Sequence, residues 1–163
     1  MSTKTSQLQI RVSPAEKTRL KALAKRSGLD VSRYVLAKVL PPQSIRFHDI
    51  LDSLRHNEAC RFGLADLNDF LSDLTAAEFV AAVESADLAD LTPFVANYLC
   101  ALVELAAHRN SLPPPAWTNA VEPLSEPWFA APITRLRPHL VRASPVPFKR
   151  RQLFVDPSLE ERG

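Results

Sequence analysis

The sequence predicts a mainly α fold in three parts: a strand-helix-helix unit, a small helical bundle and a Pro-rich extended C-terminal arm. Three observations predict it. Gln7 to Val12 alternate polar with apolar and run straight into a helix-start signal. Residues 44–112 then keep a helical spacing of apolar residues. Beyond Leu112 prolines recur and that spacing stops. The boundaries follow as 1–41, 44–112 and 113–163.

In the first part, Leu8, Ile10 and Val12 fall on one face of a strand and Gln7, Gln9 and Arg11 on the other. Ser13-Pro14-Ala15-Glu16 reads as an N-cap, a proline at the first helical position and the acid that closes a capping box. That helix should run to about Ser27, with Leu20, Leu23 and Ala24 inward and Gly28 as its left-handed stop. Asp30 or Ser32 caps a second helix, which Pro41-Pro42 ends. One strand and two helices cannot bury a core, and the strand has no partner in its own chain. Both problems vanish if two copies pair, so a homodimer is expected, with the strands as an antiparallel ribbon.

In the second part, Phe47, Ile50, Leu51 and Leu54 mark one helix, with a break expected near Gly63. Leu64, Leu67, Phe70, Leu71 and Leu74 mark another. Thr75 and Glu78 form a second capping box before Phe79, Val80 and Val83. Thr92-Pro93 opens the longest and most apolar helix. The third part holds Trp117, Trp128, Phe129, Phe148 and Phe154 among its prolines, too many large apolar side chains for a disordered linker. It is expected to become ordered along a surface, either that of the bundle or that of another protein.

Charge divides the same way. Residues 1–40 carry nine Lys/Arg against Glu16 and Asp30, whereas residues 41–112 carry four Arg against eleven Asp/Glu. Residues 113–163 carry seven cations against five acids. The basic end is therefore a nucleic-acid candidate. Catalysis finds no residues to carry it. His48, His56, His108 and His139 lack ligand spacing, and His48 with Asp49 and Asp52 reads as a solvated helix face. No phosphate loop or nucleophile elbow is present, and neither metal nor cofactor is expected. Cys60 and Cys100 read as lone reduced thiols. With no charged-then-apolar leader and no apolar run of about 18 residues, a cytoplasmic protein without a membrane partner is expected.

The N-terminal unit, through Gln7 to Val12, SPAEK at Ser13 to Lys17 and SGLDVSRYV at Ser27 to Val35, resembles the ribbon-helix-helix DNA-binding proteins, which include the Arc and MetJ repressors and many antitoxins. The resemblance implies a ribbon in the DNA major groove with Gln7, Gln9 and Arg11 reading bases, Gln suiting adenine and Arg guanine. It also implies a phosphate at the start of the second helix, near Val31, Ser32 and Arg33. The tail, through PPPAWT at Pro113 to Thr118, PLSEPWF at Pro123 to Phe129, LRPHLVRASPVPFKRRQLFVD at Leu136 to Asp156 and the closing Glu161-Arg162, resembles a C-terminal segment of antitoxins whose genes neighbour nucleotidyltransferase-type toxins. It implies toxin capture by Trp117, Trp128, Phe129, Phe148 and Phe154 as apolar anchors. Arg137, Lys149, Arg150 and Arg151, with Arg135 and Arg142, would then meet an acidic groove. Together these imply an antitoxin that neutralises a cognate toxin and represses its own operator DNA. The alternative is a stand-alone ribbon-helix-helix transcriptional regulator or plasmid-maintenance protein.

Overall fold

Local signals set several helix starts. The Ser13 hydroxyl accepts from the Glu16 N–H while the Glu16 carboxylate accepts from the Ser13 N–H at 2.8 Å, which opens α1 (Pro14–Arg26). Thr75 and Glu78 repeat the device at the start of α5 (Ala76–Ala82), and the Thr92 hydroxyl caps α6 (Pro93–Arg109). Three helix ends use left-handed residues. Gly28 at φ 67° ends α1 through paired bonds from Leu29 N–H to Ala24 O and from Gly28 N–H to Lys25 O. In a chain with only 3 Gly, Ser111 does the same after α6 at φ 55°, and Gln152 after α8 (Val146–Arg150) at φ 60°.

The structure is a computed structural model and describes residues 9–39, 42–56 and 60–156. Between the helices above lie α2 (Val31–Val39), α3 (Pro42–His56), α4 (Cys60–Ser72) and α7 (Arg137–Ala143). Phe47, Ile50, Leu51 and Leu54 of α3 are buried, as are Leu64, Leu67, Phe70 and Leu71 of α4, in the register their spacing predicts. Gly63 departs from expectation, because it lies inside α4 rather than at a break. A Cβ there would come within 2.7 Å of Leu54 Cδ2, so the missing side chain serves the close approach of α4 to α3. Val80 also departs, since it is 55% exposed while Phe79 and Val83 are buried.

The most apolar helix, α6, is buried on nearly all sides from Val95 to Ala107. It packs against α4 on one flank and α8 on another. Its buried thiol, Cys100, is pushed up to about 11 by burial and so stays protonated. Beyond Leu112 the chain is not an extended arm. A 3-10 turn (Ala116–Ala120), β1 (Trp128–Phe129), a second 3-10 turn (Thr134–Leu136), α7, α8 and β2 (Leu153–Phe154) lead it back onto α6. β1 and β2 pair in parallel, Trp128 with Leu153 and Phe129 with Phe154. Phe148, Leu153 and Val155 join the same core as α3 to α6. The physical reason is that α6 has more apolar surface than α3 to α5 can cover, and the tail's aromatics complete the cover.

Both caps carry a pH signature. The Thr75 hydroxyl, then its N–H, and Gln43 more weakly, hold Glu78 below the ordinary carboxylate range; the Ser13 N–H and hydroxyl do the same for Glu16. A depressed folded value means that the cap stabilises above the unfolded value and is lost as pH falls through the folded one. Urea midpoints followed downward through about pH 4 should therefore fall further in the natural chain than in Glu78→Gln. Equal falls would remove the cap as the cause. At neutral pH, Thr75→Ala should cost about 1 kcal/mol.

Candidate nucleic-acid interface

Residues 9–39 present the basic end of the chain as a pair of packed helices, α1 against α2. Lys17, Arg19, Lys21, Lys25 and Arg26 on α1, and Arg33 and Lys38 on α2, are all exposed. Among the described residues of this unit only Ala24 is buried. Its large apolar side chains stand open instead, Ile10 at 64% and Val39 at 69%, with Val12, Leu29, Val31 and Leu36 also exposed. Four helices and a ribbon from two chains would give these side chains a core that one chain cannot.

Gln9 and Arg11 are exposed, and residues 9–13 form no strand. A ribbon at the N-terminus is thus not shown: the two-stranded sheet of the described residues lies at 128–129 and 153–154. The physical reason is that an antiparallel ribbon needs a second copy for its ladder. Gln7 lies outside the described residues. At the start of α2, Asp30 is the cap, its Oδ1 accepting from the Arg33 N–H at 2.9 Å. The Arg33 side chain turns back to Asp30 at 3.7 Å, while Ser32 is exposed. An anion at this helix end would therefore meet the Ser32 hydroxyl and a carboxylate that already holds one amide.

The residues expected to meet a toxin are mostly engaged within the chain. Trp117 donates its Nε1–H to Val83 O at 2.9 Å, and Trp128 packs against Phe94 with ring centres 4.8 Å apart. Phe129 stacks on Phe154 at 4.8 Å and carries the Arg137 guanidinium over its ring. Phe148 is fully buried edge-on to Tyr98, and Arg151 is buried in an ion pair with Glu104. Lys149 donates to Arg142 O at 2.7 Å, while Arg137 and Arg150 are exposed. His48 faces Ser44 O through Nδ1 at 2.7 Å, and no group of three metal-ligating side chains occurs among the described residues. Nor is any described helix long and apolar enough to cross a membrane.

Sequence reasoning passed over Leu29 and Leu36 as partners in the open apolar surface. The signal was present: Val31, Val35, Leu36 and Val39 spread apolar residues beyond one stripe of α2, the pattern of a helix covered on more than one side.

This arrangement defines a class: a small basic helical module with open apolar side chains, joined to an acidic helical body. Residues 2–55 match a family described as NikA-like, mobilization protein NikA. The match spans the basic module and reaches the end of α3. No curated protein and no solved structure matches the chain.

Proposed function

We propose that this chain is a DNA-binding protein that works as a homodimer, its residues 1–41 pairing as a ribbon-helix-helix unit. The observation that carries this reading is the open apolar surface of residues 9–39 set among seven exposed helix cations. Dimerisation would bury the first and leave the second facing phosphates. The similarity of residues 2–55 to mobilization protein NikA supports the same reading and adds DNA mobilization to regulation as its setting. Gln7, Gln9 and Arg11 are the base-reading candidates, with Ser32 and Arg33 nearest the backbone.

Gel-shift titration with the operator or origin region beside its own gene tests it. Affinity should fall steeply with salt through counterion release. Arg11→Ala should cost about 1–3 kcal/mol and relax the base preference at one position. Unchanged affinity and unchanged site choice in that variant would overturn the ribbon assignment.

A finer reading, an antitoxin, draws its support from the tail resemblance and from the exposed cations of residues 135–150. In this reading the toxin meets the folded surface of the tail, because Phe148 and Arg151 serve the chain's own core. Co-expression with the neighbouring gene product separates the readings. A lethal product rescued and co-purified by this chain supports the antitoxin; a harmless one leaves the stand-alone regulator or plasmid-maintenance protein.

A further inference from the structure

Two exposed faces outside the basic module carry opposite charge, and among the described residues a single loose ion pair, Arg46 with Asp66, touches either of them. From Pro127 to Arg150 there is no acid, and five Lys/Arg with His139. Only Leu140 of α7 is buried, so Arg135, Arg137, His139 and Arg142 stand in solvent around it. Exposed apolar side chains lie among them, with Ile133 at 57% and Leu136, Val141 and Val146 also open. None of these arginines forms an ion pair among the described residues. A purely solvated basic face has no use for four large apolar residues in fourteen positions. A docking face does.

The second face lies along α4 and Asp73, the residue that follows it, whose N–H still bonds Asp69 O. Phe62, Asp66, Asp69 and Asp73 recur at helical spacings of four, three and four, opposite the buried Leu64, Leu67 and Leu71. This stripe is about 16 Å long at 1.5 Å per residue, with Phe62 79% exposed at its first end. Asp66 touches Arg46 loosely at 3.9 Å, and Asp69 and Asp73 have no ion pair among the described residues. Arg109 reaches this end of α4 through the Ser72 hydroxyl at 3.1 Å. α4 itself has no cation in its last turn. Acids at that end oppose the helix dipole, so they do not serve the stability of α4.

We propose that these faces dock on each other between copies: the cationic, apolar surface around α7 of one molecule seats on the acidic stripe of α4 of the next. The contact is heterologous, using a different patch on each side, so it propagates rather than closing a pair. It is also separate from the N-terminal surface, so it would let units bound side by side on DNA cooperate through local concentration. It stands or falls without the DNA reading.

Sedimentation velocity on the full chain without DNA tests it. At low salt the chain should form assemblies larger than its high-salt species, because opposite surface charges are screened as the Debye length shrinks below about 10 Å. Asp69→Lys with Asp73→Lys should weaken that association about tenfold or more, as should Arg135→Glu with Arg142→Glu. Every one of these side chains is exposed, so unchanged circular dichroism melts will show that both variants fold. Mixing the two variants should restore association, because one cationic α4 then meets one acidic α7 surface. A chain whose mass is the same at low and high salt overturns the proposal, as does a mixture of variants that associates no better than either alone. In the first case a partner captured instead by the α7 surface would be a different protein.

Discussion

Arg151→Met is expected to destabilise the chain by about 3–5 kcal/mol, since removing one partner strands a buried charge. Arg151 is 5% exposed and its guanidinium is the junction of three segments. It pairs with Glu104 on α6, donates to Thr118 O at 2.8 Å, and reaches Asn97 Oδ1 at 3.3 Å and Val121 O at 3.4 Å. Its Nε–H has no partner among the described residues, so the site is not optimised to the last donor. Methionine fills much of the same volume but leaves the Glu104 carboxylate and the carbonyls unpaired. Adding Glu104→Leu should recover more than half of the loss, because an apolar pair can replace a buried ion pair at little cost. Urea midpoints of the two variants check both statements. A single variant as stable as the natural chain would mean that the junction contributes nothing.

Phe148→Ala is expected to cost about 3–5 kcal/mol, the usual range for a buried aromatic. Phe148 has no exposed surface and meets Tyr98 edge-on with ring centres 5.2 Å apart. It is the main side chain by which α8 enters the core formed on α6. The loss should appear as one cooperative transition at lower urea, since the tail and the bundle share that core. A separate early transition of the tail, with the bundle unchanged, would show instead that residues 113–156 fold as an independent layer.

Much of the fold is legible in the sequence alone. Ser13, Thr75 and Thr92 with their partners three residues on are local signals, and each opens a helix where the spacing predicts one. Gly28 ends α1 for the same local reason. The tail was misread as extended because its short helices and two-residue strands have too few residues for any periodicity to emerge. Proline density, which breaks long helices, does not prevent short ones that begin with proline, as α7 and α8 do. Gly63 was misread as a break because its reason lies in Leu54, a neighbour in space.

The candidate interface divides along the same line. Gln9, Arg11 and the cations of α1 were readable as an exposed basic set, because charge and period-2 alternation are properties of the chain alone. The sequence offers Asp30 and Ser32 alike as the cap of α2, and the geometry gives it to Asp30. Arg151 looked like one more member of a basic run with Lys149 and Arg150, yet tertiary structure turns it inward to Glu104, forty-seven residues away, and leaves Arg150 outside. By itself the sequence determined the capped starts of α1, α5 and α6, the stop at Gly28, the apolar stripes of α3 and α4 and the separation of basic from acidic segments, all of which depend on neighbours within about one or two turns. Only the tertiary structure decided which aromatics and which arginine serve the core, because burial depends on what α6 leaves uncovered, and that is a property of packed helices.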